Sequence, residues 1–180
     1  MSIAVTGGAC EGSESFLQAF GSASVQVRHV SLPFFVYGTL RPGEPNHALL
    51  LHGRTHTEEP GRLDDAVLYD GPGYPYAVAE PDGGTVTGDL VTVPPHAYAE
   101  LLTALDQLEE YAPGAPHNLY ERVAREVTRT ADGTRVRAWV YLAAPRVAAR
   151  LRARGTRIEG GDWLAGRRDP RGNHTRTAQQ

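Results

Sequence analysis

Apolar and polar positions along the chain recur with two periods, and the switches between them mark out the elements. Short runs rich in β-branched and aromatic residues lie at Phe34–Tyr37, Leu63–Tyr69, Tyr76–Ala79, Val86–Val93, Leu119–Thr128 and Val136–Leu142, and they predict six strands. Gly71-Pro72-Gly73, Asp82-Gly83-Gly84 and Asp132-Gly133 stand between them, the last two being hairpin sequences, so the pairing is expected to be largely antiparallel. Helical spacing is good in two places. His96–Glu110 repeats Tyr98, Leu101, Leu102, Leu105 and Leu108 along one face, and Pro145–Arg154 has proline near its start with Gly155 just beyond its end. A third, shorter helix is expected around Phe16–Phe20. The pattern predicts an α+β fold: a small, mostly antiparallel β-barrel of about six strands, closed or nearly closed, with two or three helices packed outside.

Composition narrows the class. The 180 residues are 41% hydrophobic and 22% charged, which fits one globular unit. The expected layout is a weakly structured extension over 1–32, a core domain over 33–166 and a basic disordered tail from 167 to 180. No run approaches the ~18 apolar residues of a membrane span, and the first residues lack the basic start and apolar core of a secretory signal, so a cytoplasmic protein is expected. Charge is uneven. Residues 144–180 carry nine arginines against Glu159, Asp162 and Asp169, a local charge of +6 that leaves −9 on the rest. All 18 basic residues are arginine, and Trp163 is the one aromatic in the basic region, so composition bias explains the tail better than nucleic-acid binding does. Nothing in the pattern fixes an oligomeric state.

Four stretches carry candidate chemistry. Val5–Gly12 is glycine-rich but has the wrong spacing for a dinucleotide loop, and the single cysteine, Cys10, has no cationic neighbour to activate it. His47, His52 and His56 lie close together but match no metal-binding pattern, and solvated loop histidines are the expectation, with no metal and no cofactor. Glu109 is different. At 100° per residue it falls within about 20° of both Leu102 and Tyr98, on the core side of the expected helix, whereas Glu110 is rotated about 100° toward solvent. A carboxylate on an apolar face must be paired or shifted upward in pKa, toward the range of a general base, and Asp106 one turn earlier is expected to push in the same direction. The alternative is an ion pair between Glu109 and an arginine such as Arg122. The fourth stretch, Tyr37-Gly38-Thr39-Leu40-Arg41-Pro42-Gly43, leaves a strand through glycine, and its amides can turn outward as an anion-binding concavity.

Phe35-Val36-Tyr37-Gly38-Thr39-Leu40-Arg41, then Leu105-Asp106-Gln107-Leu108-Glu109, then Leu119-Tyr120-Glu121-Arg122-Val123 resembles the γ-glutamylcyclotransferase superfamily. Gly73-Tyr74-Pro75, Val86-Thr87-Gly88-Asp89-Leu90 and Gly161-Asp162-Trp163 support the match in the same order, over about Pro33 to Trp163. The resemblance implies that Tyr37, Gly38, Thr39 and Leu40 bind the glutamyl part of a small-molecule substrate through backbone groups, that Glu109 is the catalytic acid/base, and that Tyr120 lines the pocket. It implies a cofactor-independent reaction in which the α-amine of a γ-glutamyl amide attacks its own γ-carbonyl, releasing 5-oxoproline and a free amine. The YGTLRP form is more similar to the branch acting on γ-glutamylamines, or on γ-glutamyl-protected intermediates such as those of butirosin synthesis, than to the glutathione-specific branch. The N-terminal extension and the Pro-containing stretch Ala112–Asn118 depart from the pattern. A non-catalytic ligand-binding or accessory domain, or an amide hydrolase on the same scaffold, is the alternative function.

Overall fold

The computed structural model describes residues 31–168. The expected helix around Phe16–Phe20, the glycine-rich stretch Val5–Gly12, Cys10 and the tail beyond Arg168 lie outside the described residues, as does nearly all of the 1–32 extension.

Five strands form a closed barrel in the order β1 (Phe34–Val36), β5 (Thr85–Thr92), β2 (Thr57–Asp64), β6 (Tyr120–Arg129) and β7 (Arg135–Ala143). The pairs are antiparallel except where β1 meets β7 in parallel at Phe34 and Trp139, the contact that closes the barrel. β3 (Ala66–Tyr69) and β4 (Tyr76–Ala79) make a separate antiparallel hairpin. Among the described residues four α-helices accompany the strands: α1 (Pro45–Leu50), α2 (Pro95–Leu108), α3 (Pro145–Arg154) and α4 (Trp163–Arg168). None is long and apolar enough to cross a membrane.

The barrel works because successive side chains of a strand point to opposite sides. Phe35 and Tyr37 face one core with Leu90, Val127, Ala138, Val140 and Leu142, while Phe34 and Val36 face a second with Leu101, Leu105, Tyr141 and Val147. β1 is therefore buried on both sides, which is why its sequence is an unbroken apolar run.

Two expectations are corrected here. Leu63–Tyr69 is two strands: the backbone turns at Asp65 into the left-handed region (φ 55°), which aspartate tolerates, and passes from the barrel into the hairpin. The barrel strand begins at Thr57, inside the polar run Thr57-Glu58-Glu59-Pro60-Gly61-Arg62, which has no apolar alternation to betray it. Gly61 suits this crowded interior, because a Cβ would stand 3.1 Å from Val127 Cγ1 and 3.3 Å from Leu90 Cγ and would press on both side chains. The helix expected over His96–Glu110 ends earlier, at Leu108. Glu109 occupies the capping position (φ −85°, ψ 4°), and Glu110 takes the left-handed conformation (φ 50°) that a glycine commonly adopts after a helix.

The stretch Ala112–Asn118 is held as a closed loop. The Asn118 side chain accepts from the Ala112 amide at 3.1 Å and donates to the Ala112 carbonyl at 2.9 Å. This clasp ties the exit of α2 to the start of β6.

Candidate active site

A cavity of about 220 Å³ opens between the end of β1 and the end of α2. Tyr37, Gly38, Thr39, Leu40, Glu109 and Tyr120 all line it, so the fold brings the candidate residues together from three elements distant in sequence.

The first wall is the turn after β1. The Arg41 amide donates to the Gly38 carbonyl at 3.0 Å, and the His47 amide at the start of α1 donates to the Thr39 carbonyl at 3.2 Å. These bonds use carbonyls. Among the described residues the amides of Gly38, Thr39 and Leu40 donate to no protein acceptor, which leaves three backbone donors at the cavity. Arg41 anchors the turn from behind, its Nε donating to Asp89 at 2.8 Å and its Nη1 to Asp162 at 2.7 Å. The Arg41, Asp89 and Asp162 segments, far apart in sequence, therefore meet in one ion-pair cluster. Gly38 is required by space. A Cβ there would fall 2.8 Å from Cδ and 2.9 Å from Cγ of Pro75.

The second wall carries Glu109. Burial raises its pKa from 4.5 to about 7, because the charged form loses its water without gaining a partner. Among the described residues it makes no ion pair and no side-chain hydrogen bond. The alternative pairing with Arg122 does not occur: Arg122 Nη1 donates to Asp106 at 2.7 Å instead, and Tyr141 OH donates to the same carboxylate at 2.6 Å. The expected upward push of Asp106 on Glu109 is corrected by the same contacts. With its charge met by Arg122, Asp106 plays no part, and desolvation alone accounts for the shift.

A cluster of tyrosines fills the remaining side. Tyr120 stacks on Tyr76 with ring centres 5.0 Å apart and donates its hydroxyl to the Pro75 carbonyl at 3.1 Å. Tyr37 donates to the Tyr141 carbonyl. Burial first, and in part the negative charge of Glu109, push the phenols of Tyr37, Tyr120 and Tyr141 well up, and that of Tyr76 up to about 12. These phenols stay neutral near neutrality, while Glu109 changes charge there. The cavity thus sets neutral N–H donors on one wall against a titratable carboxylate on the other. Such a site can hold an anionic group and move a proton beside it.

Further lining residues, among them Tyr74, Pro75 and Asn46, had no role assigned from the sequence. Tyr74 and Pro75 line the cavity, with Pro75 packed directly against Gly38, and Gly73-Tyr74-Pro75 was already visible as a motif. Asn46 also lines the cavity and donates to Thr39 Oγ1 at 2.9 Å, with no local signal to find it by. The histidines are corrected in part. His52 and His56 are exposed, but His47 is buried on α1 and its Nε2 lies 3.0 Å from Glu58. Among the described residues no group of three or more His, Cys, Asp or Glu side chains is placed to hold a metal ion.

Comparison with known proteins identifies the family. A relative from Niallia circulans named gamma-L-glutamyl-butirosin B gamma-glutamyl cyclotransferase is 34% identical over 109 residues, spanning 60% of this chain and 64% of that protein. A Halalkalibacterium halodurans protein provisionally named a gamma-glutamylcyclotransferase is 40% identical over 98 residues, 54% of this chain and 77% of its own. Among solved structures, an AIG2-like protein of Mus musculus superposes with a TM-score of 0.51 at 28% identity, covering 64% of this chain and 80% of that one. An Arabidopsis thaliana protein superposes with a TM-score of 0.55 at 27% identity, covering 77% and 75%. The family model described as gamma-glutamyl cyclotransferase, AIG2-like, matches residues 34–165, the stretch that builds both walls of the cavity, and the chain belongs to that family.

Proposed function

We propose that the protein cleaves a γ-glutamyl amide by intramolecular aminolysis. The α-nitrogen of the glutamyl group bonds to the carbon of its own γ-carbonyl, the bond from that carbonyl carbon to the amine breaks, and 5-oxoproline and the free amine leave. The reacting groups belong to one molecule, so folding the glutamyl chain into an attack geometry supplies much of the rate. The free amides of Gly38, Thr39 and Leu40 hold the α-carboxylate or the developing oxyanion. Glu109 carries protons from the attacking nitrogen to the departing one, and a pKa of about 7 suits a group that must both accept and return a proton at neutral pH. Tyr120 packs against the glutamyl chain.

The observation that carries this reading is the unpartnered, desolvated Glu109 facing free backbone donors across one small cavity. The Niallia relative's name favours a γ-glutamylamine or a γ-glutamyl-protected intermediate as substrate over glutathione. Mass spectrometry of the products across glutathione, γ-glutamyl dipeptides, γ-glutamyl-lysine and γ-glutamyl-protected aminoacyl compounds tests it. Release of 5-oxoproline free of heavy oxygen in H₂¹⁸O, with no turnover of the N-acetyl donor, is expected. Glutamate labelled with ¹⁸O as first product would identify a hydrolase, and binding without turnover an accessory domain.

A further inference from the structure

Behind Glu109 lies a polar cluster that never reaches the cavity. Asp106 stands one turn before Glu109 on α2, a spacing that puts their side chains about 5–6 Å apart at the Cβ atoms if the helical path is kept. Its carboxylate is claimed by Arg122 of β6 at 2.7 Å and by Tyr141 of β7 at 2.6 Å. The Arg122 guanidinium is in turn held between two rings, 5.3 Å from the centre of Tyr111 and 5.1 Å from that of Trp139. Tyr111 follows directly on the Glu109-Glu110 pair, and its amide donates to the Asp106 carbonyl at 2.8 Å. The last turn of α2 is thus fixed to two barrel strands at one side chain. Tyr141 extends the link, because its carbonyl accepts from Tyr37 on the opposite wall.

We propose that Arg122 is a positioning residue for the reaction: it cancels the charge of Asp106 and locks that carboxylate to the barrel, so that Glu109 is held at a set distance from the binding turn and senses no net charge from its own helix. The proposal rests on Glu109 being the proton carrier. The phenols around Glu109 are Tyr37 from the end of β1, Tyr76 from the hairpin, Tyr120 from β6 and Tyr141 from β7, and Tyr74 lines the same cavity. Glu110 lines the same cavity beside Glu109, and Arg150 of α3 acts on Tyr76 from behind. Against that background the Asp106–Arg122 pair is a charge balance that either partner alone would upset. Without Arg122, Asp106 is a bare like charge that disfavours ionised Glu109; without Asp106, Arg122 is a bare cation that favours it.

The test is the acid limb of the pH profile of kcat/KM for 5-oxoproline release, compared among wild type, Arg122→Met, Asp106→Asn, the double variant and Arg122→Lys. The limb is expected to move up by roughly one pH unit in Arg122→Met and down by a similar amount in Asp106→Asn. In the double variant it returns near the wild-type position while the rate stays low, and Arg122→Lys restores the limb. Loss of rate with every limb at the wild-type pH would overturn the proposal, since a merely structural cluster lowers activity without moving a titration. Should Arg122→Met not fold, the Asp106→Asn limb decides the matter, with infrared titration of the Glu109 carboxyl as a second readout. Wild-type protein that forms no 5-oxoproline from any donor would instead sink the proposed activity, and the infrared titration would still report on the charge balance.

Discussion

The two walls of the cavity are built on opposite principles. The turn after β1 presents backbone donors and keeps its charges behind it, where Arg41 meets Asp89 and Asp162. The end of α2 also keeps an ion pair behind it, Asp106 with Arg122, but it leaves the desolvated carboxylate of Glu109 in the cavity with no partner. A binding wall gains from being fully satisfied and rigid, since every free donor is then aimed at a ligand. A wall that moves protons needs a group whose two charge states are close in free energy, and an unpaired, desolvated carboxylate is such a group. The cost of that arrangement falls on stability.

The comparison breaks most completely at Gly38. Gly38→Val drives a branched side chain into the Pro75 ring and closes the mouth of the cavity, so turnover and ligand-induced thermal stabilisation should both vanish while the circular dichroism spectrum stays that of wild type. Retained binding would mean that the turn is not the glutamyl site.

Glu109→Gln sharpens the other wall, since it keeps size and polarity but cannot carry a proton. Turnover should fall by about 10²–10⁴ with binding retained. The same variant should be more stable than wild type at about pH 8. With the folded pKa at about 7 and the ordinary value of 4.5 in the unfolded chain, the folded protein holds the proton more tightly across that window. Wild-type stability therefore declines as pH rises from 4.5 to about 7, and the full penalty, of the order of 1–3 kcal/mol, persists above it. Thermal melts of both proteins at about pH 4 and pH 8 check this, and the gap should close at the acid end.

Arg41→Met probes the support behind the binding wall. Asp89, 8% exposed, is left without its cation, and a loss of about 3 kcal/mol is expected, read as a lowered denaturant midpoint with KM raised more than kcat is reduced. An unchanged midpoint would show the ion-pair cluster to be dispensable. The smallest effect is expected at Thr39→Ala, which removes the hydroxyl that Asn46 donates to but leaves the amide in place. KM should rise by roughly five-fold, about 1 kcal/mol. A larger loss there than at Gly38 would move the binding role from the backbone to the hydroxyl.

Much of this was legible in the chain itself. The alternating runs located β1, β4, β5, β6 and β7 to within a residue or two, because a barrel strand buried on one or both sides must alternate or be wholly apolar. α3 was placed end to end by its proline and Gly155. Glu109 stood out because a carboxylate at core spacing demands an explanation. Other features were decided in three dimensions. β2 is polar and contains Pro60 and Gly61, and only the crowding of Val127 and Leu90 shows why glycine stands there. Asp65 tolerates the left-handed bend that parts β2 from β3, but the apolar run on either side of it read as one strand. By sequence Arg122 was a candidate partner for Glu109, and the geometry of β6 beside α2 gave it to Asp106 instead. Period and turn chemistry are local, so the sequence determined the elements and the singular carboxylate. Which charges meet, and which one stays unpaired, depends on distances between segments that only the closed barrel sets.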